Sequence, residues 1–310
     1  MHKKNQSAAL RQIPRREFLS ITGLGILCAS LLPEQIFSAL KNTHATPTAK
    51  IGLQLYTLRN QIKNDIANVL HRVADMGFEA VETAFWPDNI SIEQAAKYLK
   101  DAGLVVSSAH VELPIGDKKD AMLKTAEAFN CKRMIWHGWP EDKRYSTPDG
   151  TKQLIDIYNE ANHFAKSNGL QFGLHNHWWE YRNKIDGRYV YQLLLEHVEP
   201  DIFFEIDTYW VKVAGHDPAK IVAEFGKRAP LLHIKDGPAK WDESLPEDHP
   251  EPMVAVGKGT QNFPEIVKAA GGNTEWMVVE MDVTATDVFA AIQDSYKYLV
   301  GNGLARGKKK

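Results

Sequence analysis

From residue 51 onward the chain alternates short apolar runs with longer stretches in which apolar residues recur every three or four positions. Eight of the short runs predict strands, at 51–56, 80–83, 105–110, 133–137, 170–175, 202–207, 231–235 and 276–281. Between them lie amphipathic stretches: 65–76 sets Ile66, Val69, Leu70 and Val73 on one face, and 90–102 does the same with Ala95, Ala96 and Leu99. Gly77, Gly103, Gly169 and Gly271-Gly272 follow such stretches directly, where a left-handed residue closes a helix. Eight repeated strand–helix units predict a parallel sheet, and the fold expected is α/β, a single (β/α)8 TIM barrel. A chain of 310 residues with 44% hydrophobic content fills one such barrel and requires no second domain.

The ends of these strands carry the chemistry. Glu82 closes the second, His110 the third and His137 the fourth; His175 and His177 close the fifth, with Glu180 just beyond. Asp207 closes the sixth, His233 and Lys235 the seventh and Glu280 the eighth. A barrel turns these terminal side chains toward its carboxyl-end mouth, where residues spaced by two share a face. A carboxylate that ends a buried strand must be paired or metal-bound to offset its desolvation. Asp207, His233 and Glu280 are therefore expected to gather around one divalent ion. Oxygen and imidazole donors without thiolate suit Mn²⁺, Zn²⁺, Co²⁺ or Fe²⁺.

A metal-polarised carbonyl still needs a base for the neighbouring proton, and Glu280, Glu180 and His177 are the catalytic candidates. Lys235 is placed to neutralise an oxyanion. Glu82, His110, His137, Lys235, Trp210 and Trp179 are the expected substrate contacts, the tryptophans by stacking on the apolar face of a sugar ring. The long irregular stretch 237–259 after the seventh strand reads either as a lid over the site or as a surface insertion.

Six segments together carry a family resemblance: Gly52-Leu53-Gln54-Leu55-Tyr56-Thr57-Leu58-Arg59, Gly77-Phe78-Glu79-Ala80-Val81-Glu82, His175-Asn176-His177, Asp207-Thr208-Tyr209-Trp210, Leu232-His233-Ile234-Lys235-Asp236 and Val279-Glu280. On these the chain resembles the sugar phosphate isomerase/epimerase superfamily, the xylose isomerase-like barrels that include ketose 3-epimerases, hydroxypyruvate isomerase, inosose dehydratase and, more distantly, endonuclease IV. The resemblance implies a metal held by Glu, Asp, His and Glu from strands five to eight. The last three fall on Asp207, His233 and Glu280, and the first on His175, an imidazole where epimerases offer a carboxylate. Whether His175 or His177 is that ligand stays open.

In the epimerases the two Glu ligands also form the acid/base pair, so this departure weakens a symmetric two-carboxylate epimerisation. The His-Asn-His pattern looks more like the branch with dehydratase-like and keto-sugar lyase members. A second departure is Gly257-Lys258-Gly259, where relatives often have Glu between the glycines. The activity implied is isomerisation or epimerisation of a keto sugar through an enediolate, with a lyase or dehydratase of 3-keto-glycosides or inosose-like substrates as the alternative. An endonuclease IV-like phosphodiesterase and a non-catalytic sugar-binding barrel are the rivals.

The first 45 residues follow a different logic. Basic residues precede an apolar run at 21–32 and a small-residue site at Thr43-His44-Ala45, and Arg15-Arg16-Glu17-Phe18-Leu19 resembles the twin-arginine export motif. The expected organisation is a signal peptide at 1–45, a barrel at 46–305 and a basic tail at 306–310, with the product exported, for instance to a periplasm. Residues 1–45 carry six Lys/Arg and two acids, so the remainder counts 31 basic against 37 acidic residues. That acidic body argues against nucleic acid as a partner. A small sugar is expected instead, with no stable membrane association after cleavage; homo-oligomerisation is left open. Cys131 alone remains beyond the leader, so stability must come from packing rather than a disulfide.

Overall fold

The computed structural model describes residues 49–242 and 251–308. The expected signal peptide, the middle of the 237–259 stretch and the last two residues of the basic tail lie outside the described residues. Eight parallel strands close a barrel: β1 (Lys50–Gln54), β2 (Ala80–Thr83), β3 (Val105–Val111), β4 (Arg133–Trp136), β5 (Gln171–His175), β6 (Phe203–Asp207), β7 (Leu231–Ile234) and β8 (Trp276–Val279). β1 pairs with both β2 and β8, so no edge is left open.

The strands fall where the apolar runs predict them, within two residues at each end. The first helix departs most. It spans Arg59–Asp75 rather than starting near 65, because Gln54 accepts a hydrogen bond from the Tyr56 backbone N–H and turns the chain at once into a short 3-10 segment (Leu55–Leu58) that leads into the helix. The second helix, Ile92–Asp101, begins at a reciprocal cap between Ser91 and Gln94. Gly77 closes the first helix at φ +104°, and a Cβ there would lie 2.5 Å from the Tyr296 hydroxyl. A two-stranded hairpin, Lys184–Ile185 with Arg188–Tyr189, is an addition between β5 and β6 that the strand count did not predict.

Inside the barrel the side chains stack in layers. Ala80, Ile135, Phe203, Leu231, Trp276 and Val278 form an apolar plug. Gly173 makes room for it, since a Cβ there would come within 2.3 Å of the Phe203 ring. Two residues further along several of these strands sit Glu82, Glu205, His233 and Glu280, so the period of two lifts the chemistry directly onto the plug.

Cys131 is buried, and loss of solvent pushes its thiol up to about 11. A chain starting at residue 46 is therefore expected to react with a thiol reagent at least a hundredfold more slowly when native than when unfolded in guanidinium. Equal labelling rates would show that this packing does not hold in solution.

Candidate functional site

Strand register explains who meets whom. Parallel partners point to the same side, and the register pairs Gln54 with Glu82, Glu82 with Ser108, His175 with Glu205, and Asp207 with His233. These residues form two polar levels above the plug.

At the lower level three imidazole nitrogens from three strands converge on one oxygen. Glu205 Oε2 lies 2.8 Å from His110 Nε2, 3.1 Å from His233 Nε2 and 3.2 Å from His175 Nδ1. Glu82 Oε1 is 2.7 Å from His233 Nε2 and 3.1 Å from His110 Nε2, and accepts a 2.7 Å bond from Gln54 Nε2. Its other oxygen accepts from the Ser108 hydroxyl. Burial opposes charge on every member, and the partners decide the outcome. For Glu82 the adjacent His110 and His233 outweigh burial and hold the carboxyl well below the usual range. His110 is raised to about 9 by Glu82 and Glu205 in spite of its burial. Glu205 moves upward because burial and the Glu82 charge act together.

At the upper level Lys235 Nζ sits among three carboxylates, 3.0 Å from Asp207 Oδ2, 2.8 Å from Glu280 Oε2 and 2.8 Å from Asp282 Oδ2. Asp207 Oδ1 is committed to capping its own helix (Thr208–Val213), accepting from the Tyr209 and Trp210 N–H groups. Glu280 Oε2 also lies 2.7 Å from His233 Nδ1. Burial works against its ionisation, but Lys235 and His233 prevail and hold it well below the ordinary carboxylate range. Burial pushes Asp282 up to about 6 against the pull of Lys235.

A cavity of about 250 Å³ opens onto these levels. Its floor includes His110, His175, Lys235, Glu280 and Asp282, and its walls include Tyr56, Phe85, Trp139 and Trp210. His137 and His177 also line it. Of the expected substrate contacts, His110, His137, Lys235 and Trp210 therefore face the cavity, whereas Glu82 lies beneath the floor and Trp179 stands behind His177, stacked on it at 4.3 Å. Among the expected bases, Glu280 and His177 face the cavity. Glu180 does not line it: its carboxylate accepts the His177 backbone N–H at 3.0 Å and borders a separate small space with Tyr145 and Tyr158. Burial pushes that carboxyl up to about 8.

The donor set fits a divalent ion. His110, His175, Glu205 and His233 offer ligand atoms within 4.8 Å of one another, as do Asp207, His233 and Glu280. Buried His175 Nδ1 and Glu205 Oε1 have no hydrogen-bond partner, and Asp207 Oδ2 meets Lys235 without an aligned bond. Of the two strand-five histidines, His175 is the one that reaches this cluster, its Nε2 4.0 Å from Asp207 Oδ2. Sequence reasoning missed Glu205, although its spacing of two from Asp207 on β6 was the available signal. It also missed Asp282, which stands in the same relation to Glu280.

Residues 70–299 match the family model described as xylose isomerase-like TIM barrel. Two solved structures, each described as a sugar phosphate isomerase/epimerase from Parabacteroides distasonis ATCC 8503, superpose well. One is 26% identical with TM-score 0.69, covering 83% of this chain and 100% of its own; the other is 25% identical with TM-score 0.67, covering 85% and 98%. A structure of L-ribulose 3-epimerase, 16% identical with TM-score 0.58 over 83% of this chain and 94% of its own, shares the fold. No curated protein matches the sequence. With most of its length matched and the closed eight-stranded barrel in place, the chain belongs to the xylose isomerase-like TIM barrel family.

Proposed function

We propose that the protein is an isomerase or epimerase of an unphosphorylated keto sugar, acting by removal and return of the proton next to the carbonyl through an enediolate. The observation that carries this is the cavity itself, a sugar-sized space with an ionisable floor and aromatic walls at the carboxyl end of the barrel. The names of the two Parabacteroides relatives support the isomerase or epimerase class, though not the unphosphorylated substrate.

Glu280, whose carboxylate faces the cavity at its floor, serves as the base. Lys235 supplies positive charge where the oxyanion develops. Trp139 and Trp210 exclude water and pack against the ring. The residues that would hold an ion are His110, His175, Glu205, Asp207, His233 and Glu280. Once bound, a divalent cation there would polarise the substrate carbonyl and stabilise negative charge on the neighbouring oxygen. The two lining cations argue against a phosphorylated substrate, since Lys235 is committed to three carboxylates and Arg59 donates to the Tyr56 and Asp282 carbonyls at 2.9 and 2.7 Å.

One observation favours elimination as the second reading. Carboxylates, Glu280 and Asp282, line the β8 side of the cavity, while the β5 side carries imidazoles, His175 and His177. Such unlike groups suit removing a proton on one side and assisting a leaving group on the other.

A panel of unphosphorylated keto sugars and 3-keto-glycosides incubated in deuterated buffer tests both readings. The expected result is solvent deuterium at the carbon next to the carbonyl, lost by at least a hundredfold on chelation and restored by Mn²⁺, Zn²⁺, Co²⁺ or Fe²⁺. A rearranged sugar identifies the isomerase and a released aglycone the lyase. An absence of exchange with every substrate by ion-loaded protein would overturn both.

A further inference from the structure

We infer that the ion belongs to the lower level, bound by His110, His175, Glu205 and His233, and that the Lys235 ammonium takes the cation's place among Asp207, Glu280 and Asp282. This rests on the reading that the site takes a divalent cation, and it goes further in fixing where the cation sits.

The upper set already holds a buried ammonium. Lys235 Nζ lies within 3.0 Å of oxygens from three carboxylates and is itself buried. An ion between Asp207 and Glu280 would have to displace that ammonium or stand about 3 Å from a like charge in a water-poor site. Asp207 could offer only Oδ2, because Oδ1 caps the following helix.

The lower set has the complementary features. Its three nitrogens surround Glu205 Oε2 at 2.8 to 3.2 Å, near the edges of roughly 3.4 Å expected when bonds of about 2.1 Å radiate tetrahedrally from one centre. Partnerless buried atoms occur at both levels, His175 Nδ1 and Glu205 Oε1 here and Asp207 Oδ2 and His233 Nδ1 above, so the imidazole count and the Lys235 ammonium decide between them. Glu280 Oε2 then stands 2.7 Å from the second nitrogen of a metal-bound His233, close by but without an aligned bond. Glu82, pinned by Gln54 and Ser108, adds a second negative charge beside the ion. His110 and His175 also line the cavity floor, so an ion at this level remains within reach of a bound sugar.

The two placements differ in imidazole count, which can be read on the unaltered protein. Pulsed EPR of protein loaded with one Cu²⁺ is expected to show three coordinated histidines, whereas the set of Asp207, His233 and Glu280 supplies one, or two if His175 joins it. In parallel, Glu205→Gln and His110→Ala are expected to weaken Co²⁺ binding at least a hundredfold, measured as bound metal per chain and as visible absorption. Glu280→Gln and Asp282→Asn should keep one Co²⁺ with affinity within about threefold of the parent.

One or two coordinated imidazoles, or Co²⁺ lost from Glu280→Gln and kept by Glu205→Gln, would overturn the placement while leaving a metal-dependent reaction standing. Failure of the unaltered protein to retain either ion would remove both. Should Glu205→Gln not fold, the histidine count on the parent still decides.

Discussion

Glu280→Gln is expected to lower kcat/KM of the exchange reaction by at least about a thousandfold with the fold intact. The substitution keeps the shape of the side chain and removes the charge that makes it a base. Its carboxylate faces the cavity, 2.8 Å from Lys235 Nζ and 2.7 Å from His233 Nδ1. Lys235 retains Asp207 and Asp282 after the change, so the melting midpoint should move by no more than a few degrees. Because the proposed ion lies on the lower level, bound Co²⁺ should also be retained. That combination distinguishes loss of a proton-transfer group from loss of the metal. A variant turning over within about threefold of the parent would remove Glu280 from the chemistry, and a variant that had lost its ion would show that Glu280 acts as one of the metal's ligands rather than as the base alone.

Most of the barrel was legible in the sequence because parallel strands buried on both faces read as continuous apolar runs of strand length, and a helix end marked by glycine separates several of them from the next strand. The residues at which those runs stop were equally visible: Asp207, His233, Lys235 and Glu280 all lie at or just beyond the carboxyl ends of β6, β7 and β8. Glu205 was hidden by its position one pleat deeper, inside Phe203-Phe204-Glu205-Ile206, where an apolar run reads as core. Only the closed barrel and its register reveal that this carboxylate stands beside His175 and faces His110 and His233. Arg59 and Phe85 were missed for another reason. They follow strand ends through local turns, and their direction is set by backbone geometry that periodicity does not encode. The role given to Glu180 illustrates the limit, since distance along the chain from His177 does not say on which side of the backbone its carboxyl emerges.

Asp236 directly follows Lys235 and gives the second large effect, on stability. Its carboxylate accepts four backbone N–H groups: Gly237 at 2.9 Å and Gln261 at 3.1 Å on Oδ1, Gly257 and Gly259 at 2.9 Å on Oδ2. One buried side chain thereby ties the start of the stretch after β7 to its return. It also accounts for the Gly257-Lys258-Gly259 motif. A Cβ at Gly259 would fall 2.1 Å from Asp236 Oδ1, and one at Gly257, held at φ +88°, would fall 2.4 Å from the Tyr298 ring. Lys258, between the two glycines, points outward to Asp294 and takes no part. Asp236→Asn turns one acceptor into a donor facing N–H groups that have lost their partner, a change expected to cost about 3–5 kcal/mol. The melting midpoint should fall by on the order of 10 °C. Lys258→Ala, in the same loop but exposed, should melt within about 2 °C of the parent. If Asp236→Asn melts with Lys258→Ala, the carboxylate does not anchor this segment, and the glycines owe their place to something other than its approach.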